Sequence, residues 1–228
     1  MFYFDEFDGK KVLKTNILEG LNHFFTTREC PIKGSEETYK QGLKLNRLVS
    51  PTQTHSCTVQ KLDPILYEYP NTDGLVFNEE SCGVFLNFAD CVPLIFFDTS
   101  SKVAAVTHAG WKGTATRIAV ETVYQMTKHY HSLPEDIHVA IGPAISLCCY
   151  EVSEEVKDTL LATVKNTDNL FLENKVDLKQ INARQLEETG VKNIDICPYC
   201  TSCNNDLFFS YRKENGTPLR HNAIAWFD

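Results

Sequence analysis

The chain has 228 residues, of which 43% are hydrophobic and 23% charged, and its formal net charge is −8. These values are ordinary for a globular protein with a sizeable core, and they exclude intrinsic disorder, collagen-like repeats and coiled coils. The acidic balance argues against nucleic acid as a partner, and no apolar run approaches the ~20 residues of a membrane span.

The first half of the chain is predicted to consist mainly of strands. Ser35, followed by Glu36 and Glu37, predicts the start of a helix that runs toward Leu48. Six apolar runs are bounded by turn residues, as is typical of strands that are buried on both faces. These predicted strands cover residues 22–27, 53–62, 73–78, 83–88, 92–98 and 103–107.

Helices and strands are both predicted in the second half. Apolar residues recur at helical spacing from Ala115 to Met126, which predicts an amphipathic helix from residue 114 to about residue 129. Asp177 is a favourable N-cap and Gly190 a favourable residue after a helix end, so a later helix is predicted between them. The other predicted elements are a strand at 137–141, a helix at 153–164, and strands at 207–211 and 223–227.

The chain shows no repeat, low-complexity tract or linker, so we expect a single catalytic domain over residues 1–228. Clusters of strands with helices between them predict a mixed α/β (α+β) class with a mixed or mostly antiparallel sheet. The N-terminus lacks the pattern of a secretory signal, which predicts a cytoplasmic protein whose nine cysteines are mostly reduced.

Three residues at strand edges are candidates for a metal site. His55 lies in TQTHS, Cys91 in FADCVPL and His108 in VTHAGWKG. Two imidazoles and one thiolate suit Zn²⁺ and leave a fourth tetrahedral position open, which is typical of catalytic sites. A metal-free dyad of Cys91 and His108 is the alternative interpretation. Asp73, in preference to Asp90, is predicted to orient a histidine ligand through its second nitrogen.

The HAGWKG turn and nearby cations are candidates for binding an anion. Its glycines expose backbone N–H groups at a predicted helix start, beside Lys112. An ordinary strand-to-helix turn explains the same glycines. Arg28 and Arg212 are the other predicted substrate-binding cations, although an ion pair with Glu151 or Asp90 explains Arg212 equally well.

The remaining cysteines allow a second metal site. Cys197, Cys200 and Cys203 have the spacing of metal ligands, and His221 is a distant candidate for a fourth. Burial of these thiols in the core is the simpler interpretation. The adjacent pair Cys148-Cys149 is also expected to have a packing role.

Six segments together closely resemble one family. They are TQTHS, ADCVPL, HAGWKG, GPAI with CYEV, DLKQINARQL, and CTSC with FFSYR, and the match runs from about residue 22 to residue 226. The sequence is identified as similar to the multicopper polyphenol oxidase (laccase) family. That family is also called the peptidoglycan-editing-factor or purine nucleoside phosphorylase family.

The resemblance implies a four-layer α/β/β/α sandwich with mixed sheets and a zinc ion bound by His55, Cys91 and His108. It also implies phosphorolysis of purine nucleosides, with adenosine deaminase and methylthioadenosine phosphorylase activities. The expected partners are therefore a purine nucleoside and phosphate. Copper is the less favoured metal, because two histidines and one cysteine are far too few ligands for several coppers.

The sequence departs from the family pattern before the first histidine. Thr27-Arg28 continues into ECPIKGSEE where members carry Gly-Gly-Val-Ser, and the usual Asn-Leu-Gly and Gly-Asp stretches are missing. We expect this segment to form one wall of the site, so the preferred nucleoside stays open. The alternative functions are a cysteine hydrolase or amidase that edits peptidoglycan precursors, a copper-dependent polyphenol oxidase, and a non-enzymatic binding protein.

Overall fold

The computed structural model describes all residues of the chain, 1–228. Five α-helices are present: α1 (Glu36–Gly42), α2 (Trp111–Ala115), α3 (Ile118–Tyr130), α4 (Glu154–Leu161) and α5 (Leu178–Glu187). The strands are β1 (Phe2–Phe7), β2 (Lys10–Thr15), β3 (Asn22–Thr26), β4 (Arg47–Val49), β5 (Val59–Lys61), β6 (Gly74–Phe77), β7 (Cys82–Phe88), β8 (Val92–Asp98), β9 (Val103–Ala109), β10 (Ile137–Ile141), β11 (Phe171–Leu172), β12 (Lys175–Val176), β13 (Asn193–Ile196) and β14 (His221–Phe227).

Twelve of the strands form two six-stranded mixed sheets. The first sheet has the order β1-β2-β3-β14-β7-β4 and the second has the order β13-β10-β8-β9-β6-β5. Neighbours are mostly antiparallel, whereas β4–β7, β5–β6 and β10–β13 are parallel pairs. The prediction of a mixed α+β class with mixed sheets is confirmed.

The sheets pack face to face, and helices cover their outer faces. Strand β8 shows why, because it is apolar on both sides. Leu94 and Phe96 belong to the core shared with α3 and α5, whereas Ile95 and Phe97 belong to the core between the two sheets. Successive side chains of a strand point to opposite faces, so one apolar run serves both cores.

A third apolar cluster lies on the outer face of the first sheet. Tyr39 of α1 packs there with Phe24, Phe85 and Trp226. The order of layers is therefore α1, first sheet, second sheet and the remaining helices, and the expected α/β/β/α sandwich is confirmed. No helix has both the length and the apolar character needed to cross a membrane.

Several predicted elements differ from the structure. The helix predicted to run toward Leu48 ends at Gly42, since Lys44 adopts a left-handed backbone with φ 57° and β4 follows. The helix predicted over 114–129 is two helices, because Arg117 between them has φ 61° and donates hydrogen bonds to Thr163 O and Glu188 Oε2.

Two predicted strands are wrong in whole or in part. Residues 207–211 form turns in which Leu207 N–H and Phe208 N–H both donate to Asn204 O, so this apolar run is buried without pairing to a sheet. The strand predicted over 53–62 shortens to β5, because the backbone before it bonds to a buried carboxylate. The strands that were not predicted from sequence are β1, β2, β4, β11, β12 and β13.

Candidate active site

One buried carboxylate organises the residues around His55. Asp73 is fully buried just before β6. Its Oδ1 accepts His55 N–H at 3.1 Å, and its Oδ2 accepts the N–H groups of Thr54 at 3.1 Å and Ser56 at 2.8 Å. Ser56 Oγ also donates to Oδ2 at 2.7 Å. These bonds hold His55 in a left-handed conformation with φ 61°.

The same carboxylate orients His108. Its Nδ1 lies 2.8 Å from Asp73 Oδ1, and since an ionised carboxylate only accepts, Nδ1 carries the proton. The predicted contact of Asp73 with a candidate histidine is confirmed. Asp90 has a different role, because it accepts bonds from Thr201 Oγ1 and the Arg212 backbone.

His55, Cys91 and His108 come together at one end of the second sheet. The ligand atoms of all three lie within 4.8 Å of one another, and the two imidazole rings are 4.8 Å apart at 78°. His108 is the next-to-last residue of β9, Cys91 immediately precedes the neighbouring β8, and His55 projects from the loop before β5. Antiparallel pairing of β8 and β9 therefore brings Cys91 beside His108, as the sequence predicts.

The electrostatics of the site favour a thiolate at Cys91. Burial alone raises a thiol pKa, but His108 and His55 outweigh it and lower the pKa of Cys91 to about 6. Burial likewise lowers the pKa of His108, yet Cys91 and Asp73 raise it to about 9. For Asp73, burial opposes ionisation, but hydrogen bonds from His108 and Ser56 hold its pKa well below the usual range.

The ligand types of these residues and the space between them are both suitable for a metal ion. Two imidazoles and a thiolate are ligands that zinc prefers, and a carboxylate on the far nitrogen of His108 is the usual support for such a ligand. Gly110 leaves room beside them. A Cβ atom there would lie 2.8 Å from His55 Cδ2 and 3.1 Å from Cys91 Sγ. With φ −73°, Gly110 is needed for space and not for its backbone conformation.

The three residues line a cavity of about 660 Å³. This volume is within the range of small-molecule sites, about 300–1,000 Å³. His55 is exposed to solvent, Cys91 is partly buried and His108 is buried, so the group forms the floor of an accessible cleft.

Of the three predicted substrate-binding cations, one lines the cavity and two do not. Arg212 lines the cavity, where its Nη1 donates to Glu151 O at 2.9 Å and its guanidinium lies 5.5 Å from the Tyr150 ring. It forms no ion pair with Glu151 or Asp90.

Arg28 and Lys112 do not line the cavity. The guanidinium of Arg28 pairs with Glu214 at 3.4 Å, donates to Asn205 O and stacks on Phe209. Lys112 is exposed, with its Nζ 5.7 Å from the Trp111 ring. Their predicted role in substrate binding is therefore not supported by their positions.

Sequence reasoning missed other residues that line the cavity: Lys33, Tyr150, Tyr211 and Arg220. Lys33 lies in the segment that departs from the family pattern, and no local motif marked it. Tyr150 and Tyr211 lie within the quoted motifs CYEV and FFSYR, and this position was the available signal.

The cysteines outside the cavity lie partly in the core and partly in a separate cluster. Cys197 is fully buried in the core between the sheets, and His221 packs against Phe208 away from the thiols. Instead, four other thiols come together: Cys148, Cys149, Cys200 and Cys203.

Comparisons with known proteins agree with this architecture. Residues 23–228 match the family model described as multi-copper polyphenol oxidoreductase laccase. The purine nucleoside phosphorylase YlmD of Geobacillus stearothermophilus is 38% identical over 77% of this chain and 70% of its own length. The adenosine deaminase RL5 of an unknown prokaryotic organism is 32% identical over 75% of this chain and 72% of its own.

Solved structures show the same fold. The crystal structure of YlmD from Geobacillus stearothermophilus superposes with a TM-score of 0.88 at 30% identity, covering 98% of both chains. The Bacillus licheniformis protein YfiH gives a TM-score of 0.90 at 28% identity over 99% of both chains. The resemblance inferred from the motifs is thus confirmed, and the chain belongs to the multi-copper polyphenol oxidoreductase laccase family.

Proposed function

We propose that this chain is a zinc-dependent enzyme that cleaves purine nucleosides with phosphate and also deaminates adenosine. Methylthioadenosine is proposed as a further substrate for phosphorolysis. The observation that carries the proposal is the convergence of His55, Cys91 and His108 on the floor of an open cavity of about 660 Å³. The names of relatives that act on purine nucleosides support this choice of substrate class.

His55, Cys91 and His108 would hold the zinc ion, with three protein ligands and one open position. When bound, zinc supplies Lewis acidity and lowers the pKa of water toward neutrality, which is the chemistry that attack at the C6 atom of adenosine needs. Asp73 keeps the His108 Nδ1 proton in place, so Nε2 is the nitrogen available as a ligand.

The cavity wall offers contacts for both parts of the substrate. Arg212, Arg220 and Lys33 line the cavity with positive charge, which phosphorolysis requires to bring a phosphate dianion to the sugar C1′ atom. Tyr150 and Tyr211 provide aromatic surface for a purine base. Burial raises the pKa of Tyr150, so its hydroxyl stays protonated and can donate a hydrogen bond.

Product analysis tests the proposal. Zinc-loaded protein is incubated with adenosine, with and without phosphate, and the products are separated by chromatography. Adenine formed only with phosphate supports phosphorolysis, and inosine formed without phosphate supports deamination. The same assay with methylthioadenosine tests the further substrate. If neither adenosine product appears, the nucleoside proposal is wrong.

Two cysteine variants make the assay specific for the site. Cys91→Ala should abolish both activities, whereas Cys82→Ala should retain them. Cys82 begins β7, one strand length from Phe88 at the end near the cavity, so this control removes a buried thiol without touching the site. Full activity in metal-free Cys91→Ala protein would contradict the proposal.

One observation favours a second function, a metal-independent cysteine hydrolase or amidase that edits peptidoglycan precursors. Cys91, His108 and Asp73 are arranged as a nucleophile, a base and the group that orients the base. Alkylation of Cys91 that is blocked by substrate, in a protein whose activity is indifferent to chelators, would favour this reading. Loss of activity with a chelator and recovery with zinc would oppose it.

A copper-dependent polyphenol oxidase fits this chain less well. Several coppers require many imidazole ligands, and only two histidines reach the candidate site.

A further inference from the structure

Four cysteine thiols form a second compact cluster, away from His55 and His108. The sulfur atoms of Cys148, Cys149, Cys200 and Cys203 all lie within 4.8 Å of one another. Cys203 Sγ is 3.6 Å from Cys148 Sγ and 3.4 Å from Cys149 Sγ. Four thiols from two distant segments therefore point to a common centre.

These separations suit a single tetrahedral ion. With a Zn–S bond of about 2.3 Å, two sulfurs on the same zinc are about 3.8 Å apart. The observed distances from Cys203, 3.4 and 3.6 Å, are close to this value. A disulfide requires sulfurs about 2.0 Å apart, so no pair here is joined in that way. We propose that Cys148, Cys149, Cys200 and Cys203 bind one structural zinc ion.

The local backbone explains how two adjacent cysteines reach one centre. Residues 146–150 form a tight turn in which the N–H groups of Cys149 and Tyr150 both donate to Ser146 O at 2.9 Å. In a strand, Cys148 and Cys149 would point to opposite faces. In this turn both thiols lie within 3.6 Å of Cys203 Sγ, whereas the sequence favours a packing role for them.

The other two ligands have the spacing of a metal-binding turn. Cys200 and Cys203 form a C-x-x-C pair, in which Cys200 pairs with Ala144 in an isolated bridge and Cys203 lies in the turns that follow. The backbone N–H of Ser146 donates to Cys200 Sγ at 3.4 Å. Such a bond supports a thiolate, the form in which cysteine binds metal. Cys148 and Cys203 are exposed, so an ion can enter from solvent.

The ion would join two walls of the active-site cavity. The loop that carries Cys148 and Cys149 also carries Tyr150, and the turns after Cys200 lead to Arg212. These segments touch through Thr201 N–H, which donates to Ala144 O at 3.1 Å. Four protein ligands fill every tetrahedral position, so this zinc is structural and serves to position Tyr150 and Arg212.

Metal content per chain tests the site independently of activity. Tag-free full-length protein, purified under reducing conditions, is analysed by plasma mass spectrometry. We expect two zinc ions per chain in the wild type and one in Cys91→Ala, which retains all four clustered thiols. Cys203→Ser should lose one ion. Cys30→Ser, which removes a buried thiol outside both clusters, should hold as much zinc as the wild type.

A cobalt spectrum keeps the test decisive if Cys203→Ser does not fold. Cys91→Ala protein stripped of zinc and loaded with Co²⁺ should show strong thiolate-to-metal charge-transfer absorption. Absence of both zinc and this absorption in Cys91→Ala would overturn the proposal. So would iron in place of zinc, or an intact mass lowered by a disulfide among these cysteines. None of these readouts depends on nucleoside turnover, so the proposed function can fail while this site stands.

Discussion

Asp73 Oδ1 and His108 Nδ1 are 2.8 Å apart, in a part of the protein where both side chains are almost completely buried. The same oxygen accepts the backbone N–H of His55 at 3.1 Å. One carboxylate therefore sets the ring orientation of one candidate ligand and the backbone conformation of another.

Replacing Asp73 by Asn should weaken metal binding at the His55 site by about 10–100-fold, as is usual when a partner behind a ligand is lost. The affinity is measured by competition with a chromogenic chelator. Asp98→Asn is the matched control, because Asp98 is equally buried but lies at the opposite end of β8 from Cys91, where it accepts the N–H groups of Ser100 and Ser101. Equal affinities in Asp73→Asn and the wild type would contradict the assigned role.

Adding a methyl group at Gly110 should damage the site without unfolding the protein. The new Cβ would lie 2.8 Å from His55 Cδ2 and 3.1 Å from Cys91 Sγ, while the backbone there accepts any residue. A displacement of this kind near reacting groups costs about 100-fold in rate. Gly42→Ala in α1 is the control, since its Cβ meets only the end of the Phe7 ring, at 3.2 Å. Wild-type kcat/KM in Gly110→Ala would show that the three side chains do not act together.

Arg212→Gln should raise the KM for phosphate by about 10-fold or more, because a hydrogen bond to a charged group is worth about 1.5–3 kcal/mol. Arg28→Gln should leave this KM unchanged, since the Arg28 guanidinium is occupied by Glu214 and Asn205 outside the cavity. Phosphate titrations at saturating nucleoside distinguish the two. A raised KM for phosphate in Arg28→Gln and an unchanged KM in Arg212→Gln would contradict this prediction and support the role that the sequence predicted for Arg28.

His23 should make the fold sensitive to acid. Burial is the main cause that lowers its pKa from 6.5 to about 4. Both ring nitrogens of the neutral imidazole are already used, because Nδ1 donates to Leu21 O and Nε2 accepts Thr15 N–H. As pH falls from 6.5 to 4, this imidazole becomes protonated in the unfolded state but stays neutral in the folded state. The free energy of unfolding therefore falls by about 3 kcal/mol.

Urea unfolding of the wild type and His23→Asn from pH 7 to pH 4 measures this contribution. The free energy of unfolding should fall less steeply with acid in His23→Asn. His131→Asn, which removes an exposed imidazole at a position where Asn tolerates the left-handed backbone, should keep the wild-type slope. Identical slopes in all three proteins would show that His23 does not carry the effect.

Residues with strong local signals were predicted correctly from the sequence. The doubly buried strand β8 was bounded correctly because its apolar run is continuous from Val92 to Phe97. The N-cap predicted at Asp177 accepts the expected bond from Gln180 N–H. The pairing of β8 with β9, which places Cys91 beside His108, follows from two neighbouring apolar runs.

Features that depend on distant contacts were not predictable in this way. The chain around His55 looks like a strand, but its N–H groups bond to Asp73, eighteen residues away in sequence from His55. The run at Phe208 is apolar because it is buried in the core, although its backbone forms turns. Arg28 resembles a substrate ligand until the fold places Glu214 beside it.

Strand β14 has a further consequence for how the molecule is assembled. It lies in the middle of the first sheet, between β3 and β7, although its residues are 221–227. During synthesis, β3 and β7 emerge from the ribosome long before the strand that must separate them. The first sheet therefore cannot form completely until residue 227 has been synthesised. A chain that ended before β14 would leave β3 and β7 with unpaired apolar edges and would not be a partly active enzyme.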